Sequence, residues 1–234
     1  MPEDMPTGIA AQRLRFDAWR ESFLLRLIIE PKDRELQTAV ALLLDAAASG
    51  LQLQSAMTVT PRFAPLFELD VDVPADWTVI SASTGDDQPI AWQVSPLEPG
   101  INRINLPLLS PLAADATTTL KLQLRRELEG WPVESEPVEF VLPEVVLPQA
   151  TVVETAFVIR GDADLELVAE EVTGLDPAPL KAEWERLRFQ SQDTRYGGRL
   201  KVTRRRAQST AETIAFYRLD PQTLSATCYA NLGI

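Results

Sequence analysis

The chain has 234 residues, 45% hydrophobic and 24% charged, with 34 acidic and 22 basic side chains for a formal net charge of −12. At ~150 residues per domain this length makes one or two globular domains. There is no histidine and one cysteine, Cys228, which excludes Ser-His-Asp and Cys-His catalysis, imidazole metal ligation, intramolecular disulfides and cysteine-clustered zinc sites.

The opening Met1-Pro-Glu-Asp-Met-Pro is acidic and lacks the basic start of a signal peptide. The most apolar runs, Phe23–Ile29 and Ala39–Ala48, are broken by Arg26 and Asp45 and fall well short of the ~20 residues that span a bilayer. No targeting or transmembrane segment is expected in this chain. From Asp33 to Gly50 the pattern has two readings. Leu36, Ala39, Val40, Leu43, Leu44 and Ala47 recur at helical spacing, between an Asp that would cap and a Gly that would terminate. The alternative is a strand over Gln37–Leu44.

Beyond residue 50 the period is two. Leu51, Leu53, Met57 and Val59 share one face, as do Leu69, Val71 and Val73, with Asp70 and Asp72 pointing the other way. The same alternation returns in Thr119–Leu124, Val138–Leu142, Asp164–Leu167 and Leu200–Thr203, the habit of half-buried antiparallel strands. Eighteen prolines against ten glycines leave little room for helices between 50 and 150. Gly85-Asp86-Asp87, Pro99-Gly100, Gly161-Asp162 and Gly197-Gly198 read as turns. The proline-rich stretch from Trp131 to Pro148 reads as an extended crossing with one strand embedded, and it places a domain boundary near 143–150. The expected fold is therefore mainly β, in antiparallel β-sandwich units with few or no helices. Residues 10–145 form one domain and residues 146–234 a second β unit.

Displacing the chain by 173 positions lays Arg13-Leu14-Arg15-Phe16 on Arg186-Leu187-Arg188-Phe189. Phe23 then falls on Tyr196, Arg26-Leu27 on Arg199-Leu200, Ile29 on Val202, Leu44 on Tyr217 and Leu51 on Leu224. A slip of one residue also aligns Thr38-Ala39 with Thr210-Ala211, Leu42 with Ile214 and Leu44 with Phe216. Self-similarity at a fixed period is the mark of an array. The expectation is a piece of a tandem-repeat protein whose next copy starts at about residue 186, and this repeat favours the strand reading of 33–50.

Charge is local. Residues 127–176 hold thirteen acids and one base, whereas 177–234 hold ten bases and five acids. Arg204, Arg205 and Arg206 are candidate interaction residues. They can meet an anionic surface, blunt an edge, or face the acidic segment of this module or a neighbour. Nucleic acid is not an expected partner, given the net charge and the lack of interleaved stacking aromatics. Trp77 and Trp92 are candidate contacts for a saccharide, along with Trp131, Trp184 and Tyr196. Each also has a core reading, with Trp92 alternating beside Ile90 and Val94. The groups Asp70/Asp72/Asp76, Asp86/Asp87 and Asp162/Asp164 lack the spaced Ca²⁺-loop pattern. No metal or cofactor is expected. No nucleophile elbow, Walker loop or dinucleotide fingerprint occurs, and no carboxylate pair is singled out for catalysis. Cys228 reads as a small buried hydrophobe.

Alternating strands, segments such as Pro65–Trp77 and the absence of catalytic signatures resemble β-sandwich modules of large uncharacterised bacterial envelope proteins. That resemblance implies an architectural role outside the cytoplasm and assigns no functional residue; a cytoplasmic scaffold is the other setting considered. The reading is a non-catalytic structural or interaction module whose partners are neighbouring modules or other proteins. A carbohydrate- or peptide-binding accessory domain of a secreted enzyme is the alternative.

Overall fold

The computed structural model describes residues 35–47, 50–128, 131, 136–150, 152–193, 195–205 and 210–233. Residues 1–32 and 33–234 are separate units, and every described residue belongs to the second. Arg13–Phe16, Phe23, Arg26, Leu27, Ile29 and Arg206 lie outside the described residues.

The described elements are all strands, so the mainly β expectation holds. A seven-stranded sheet runs in the order β11 (Asp176–Pro177), β12 (Leu187–Ser191), β9 (Val152–Gly161), β1 (Glu35–Ala47), β2 (Gly50–Arg62), β7 (Thr118–Arg126), β4 (Thr78–Thr84). A three-stranded sheet joins β3 (Leu66–Pro74), β6 (Ile101–Leu112) and β5 (Gln93–Glu98). Another joins β10 (Leu165–Thr173), β13 (Gly197–Arg204) and β8 (Val138–Val141), while among the described residues β14 (Thr210–Asp220) and β15 (Thr223–Gly233) pair only with each other.

The segment with two readings is the strand β1. Its buried side chains are Leu36, Thr38, Val40, Leu42, Leu44 and Ala46, every second residue, while Ala39 is exposed. It pairs antiparallel with β2 along its whole length and parallel with β9 from Gln37 to Ala46. Backbone partners on both edges override the helix preference of its Ala and Leu residues.

The inner faces share one buried cluster. Leu44, Met57, Leu122 and Phe157 enter it from the large sheet, Val71 and Ile104 from the β3–β6–β5 sheet, and Phe140 and Leu200 from the β10–β13–β8 sheet. The sheet takes β1, β2, β4 and β7 from before residue 145 and β9, β11 and β12 from after it. The division expected at 145/146 thus runs through a sheet and not between packing units. The crossing itself is built in. Val145 and Leu147 are buried, and Asp72 and Val146 exchange backbone hydrogen bonds of 2.8 and 3.0 Å. The buried Tyr196 hydroxyl donates to the Pro143 carbonyl at 2.9 Å and accepts the Val145 N–H at 3.1 Å, tying β13's approach to this crossing. Burial pushes that phenol well above its ordinary pKa.

The hairpin β14–β15 has the pairing register of β1–β2 at a displacement of 173. Ala47 pairs with Gly50 and Asp220 with Thr223, and every later pair keeps the displacement of 173, down to Thr60 and Gly233. The one-residue slip is absent. Ile214 and Phe216 lie on the opposite face from Tyr217, so they do not occupy the places of Leu42 and Leu44. Gly197 and Gly198, expected in a turn, open β13 instead. Among the described residues no helix is long and apolar enough to cross a membrane.

Candidate binding face

The side of the large sheet turned away from the shared core is open to solvent, and its rows follow from register. One row runs Gln190, Ala156, Ala41, Ala56, Lys121 across β12, β9, β1, β2 and β7. The next runs Arg188, Val158, Leu43, Gln54, Gln123. Three alanines side by side leave a depression between longer neighbours. The result is a trough of about 500 Å³, bordered by Asp87 and Trp184.

The charges at its rim are held in pairs. Lys121 Nζ lies 2.8 Å from Asp87 Oδ1. Arg188 binds Glu185 through Nε at 3.0 Å and Nη2 at 2.5 Å, and the same carboxylate accepts the Lys181 N–H at 2.7 Å. The guanidinium and that N–H together hold the Glu185 carboxyl down to about 2. This clip closes the turn bearing Trp184, whose ring is half exposed beside the trough. The trough can stack a flat surface on that indole and exchange hydrogen bonds with the Gln54 and Gln123 amides.

The residues singled out from sequence fall in different places. Trp77 is buried in the core. Trp92 and Val94 are exposed while Ile90 is buried, so the three do not share a core face. Trp131 is half buried and donates its indole N–H to the Ala47 carbonyl at 2.8 Å. Tyr196 is core. Trp184, one of several aromatics in the sequence, is the one at the trough.

Arg204 reaches Asp164 at 3.2 Å, Arg199 reaches Glu171 at 3.2 Å and Lys201 reaches Glu139 at 3.6 Å. The basic strand β13 thus meets the acidic segment within this chain, between β8 and β10. Arg205 is exposed, and its N–H binds the Asp164 carbonyl. The acidic groups are likewise engaged: Asp72 with Arg103, Asp70 with Asn105, Asp76 with Arg126. Among the described residues no three carboxylate or thiol groups gather as metal ligands. Cys228, expected to be buried, is exposed on β15, where no described strand outside the hairpin pairs with it.

No protein family matches the chain, and no curated protein matches it. It has a likeness to the M1 zinc metallopeptidase of Deinococcus radiodurans, at 15% identity and a TM-score of 0.44 over 83% of this chain and 46% of that one. It is also similar to native leukotriene A4 hydrolase of Saccharomyces cerevisiae, at 12% identity and a TM-score of 0.46 over 83% of this chain and 31% of that one. The chain therefore matches less than half the length of either. At these scores neither likeness bears on what this chain binds or does.

Proposed function

We propose that the chain is a non-catalytic structural and interaction module of a larger tandem-repeat protein working outside the cytoplasm, and that it meets protein partners on the open face of the seven-stranded sheet. The observation that carries this reading is the uncharged floor of the trough, Ala156–Ala41–Ala56, with Lys121 and Arg188 at its rim already held in ion pairs. Such a floor is desolvated cheaply and without stranding a charge. The resemblance to envelope modules supports the location.

A photo-crosslinking side chain at Ala41 in the full chain, expressed in the cells that make it, tests the reading. Adducts to protein are expected from position 41 and not from Val94 on β5, which is exposed on another sheet. Equal yields at the two positions would overturn it. The half-exposed Trp184 favours the second reading, a saccharide-binding accessory domain. Fluorescence quenching by neutral oligosaccharides, absent in Trp184→Phe, would replace the first reading with the second.

A further inference from the structure

Among the described residues the hairpin β14–β15 is a sheet without a core: its two strands bond only to each other there, and Tyr217, Leu219 and Leu224 are 73%, 82% and 66% exposed. Two strands alone are marginal in water. The register says which partner such a hairpin is built for. Displaced by 173, the buried pairs Leu42–Ser55, Leu44–Leu53 and Ala46–Leu51 become Ala215–Cys228, Tyr217–Ala226 and Leu219–Leu224.

Charge divides the hairpin along the same line. The face bearing those three pairs carries no Asp, Glu, Lys or Arg. Glu212, Arg218 and Asp220 all lie on the other side, where Arg218 pairs with Asp220 and Phe216 packs edge-on to Tyr229. An uncharged face matches the buried cluster that the inner face of β1–β2 shares with Val71, Ile104, Leu200 and Val202.

We propose that β14–β15 is the opening hairpin of a second module with the fold of β1–β13, and that its Ala215–Tyr217–Leu219 face is that module's core face. Strands equivalent to β9 and β7 take its two edges. The module boundary then falls between Arg205 and Thr210, not at residue 186, because β12 and β13 complete the first module. A second copy of this chain is the poorer occupant. Strands of eleven residues at ~3.3 Å rise and ~5 Å spacing make a face of roughly 360 Å², under half the ~800 Å² per partner of a stable interface. The inference extends the proposed tandem-module reading and rests on it for the existence of further modules. It does not depend on what the trough binds.

The test compares the full chain with a two-module chain in which Gly233 is followed by Pro61–Arg205 of the same sequence, keeping the 173-residue phase. A control carries Gln37–Thr60 in place of Thr210–Gly233, so the appended strands have their own hairpin. In the full chain Cys228 is expected to react with a thiol reagent almost as fast as a free peptide thiol. In the two-module chain the reaction slows at least tenfold, and the β14–β15 amides gain protection from hydrogen exchange. Ala226→Asp abolishes both changes and Thr227→Asp, on the other face, preserves them. The proposal is overturned if the control folds both modules while Cys228 in the test chain keeps its original rate. It is equally overturned if the two aspartate variants behave alike. A control that fails to fold would overturn the module boundaries themselves. Photo-crosslinking at Ala41 reads the trough separately, so either result can fail without the other.

Discussion

Glu185 is a nearly buried carboxylate within a chain of mostly exposed acids, and its environment is assembled locally. Arg188 lies one turn of sequence away and Lys181 supplies a backbone donor. Because the folded carboxyl titrates near 2 and an unfolded one near ~4.3, the clip adds stability above the unfolded value. That stability is lost as pH falls through the folded value. Glu185→Gln is therefore expected to lower the melting temperature at pH 7, and the gap from the parent protein should stay constant down to about pH 5 and shrink toward pH 2. Thermal scans across that range read it, with Trp184 emission reporting the adjacent turn. The sequence shows Glu185 and Arg188 three apart but no regular helix to bring them together. The trough's aromatic was accordingly indistinguishable from the other tryptophans. Trp77 and Trp92 make the same point. Both sit near strand ends, and only the tertiary cover above Trp77 separates core from surface.

Strands were legible because one face of each is buried and the other is wet. The alternations at Leu51–Val59, Leu69–Val73 and Leu120–Leu124 appear as the buried faces of β2, β3 and β7. β1 was ambiguous for a physical reason. Its open face carries Ala39, Ala41 and Leu43, apolar residues where polar ones would have marked the period, and Ala41 and Leu43 help make the trough. The Tyr196 tie shows what alternation cannot convey. Its hydroxyl bridges Pro143 and Val145 more than fifty residues away, in a stretch whose prolines suggested a linker. Tyr196→Phe should leave two buried backbone groups short of a partner and cost about 1–3 kcal/mol, measured by urea unfolding. A loss below ~0.5 kcal/mol would mean that water replaces the hydroxyl.

For the molecule as a whole, the net charge of −12 conceals an internal match, since the acidic strands β8 and β10 flank the basic β13. Those pairs are exposed, and each adds at most ~1 kcal/mol; their arrangement favours the strand order more than it deepens stability. The hairpin, by contrast, gives no described side chain to the buried core. Deleting residues 206–234 is expected to shift the main melting transition by less than ~2 °C and to raise solubility, because exposed Tyr217, Leu219 and Leu224 and two open strand edges are removed. Calorimetry and light scattering on the truncated and full chains check both. A transition that drops by more than ~5 °C would show the hairpin to be part of the first core.

The parallel pairing of β1 with β9 sets a schedule as well as a shape. β1 ends at Ala47, and its parallel neighbour does not begin until Val152. A hairpin such as β1–β2 closes within about 10 μs, whereas the ribosome needs roughly 5–20 s to deliver the intervening residues. For that interval one edge of the central hairpin offers unpaired amides and carbonyls to any extended chain nearby. Wrong pairing at this edge is thus a hazard of synthesis, before the strand that closes it has been made.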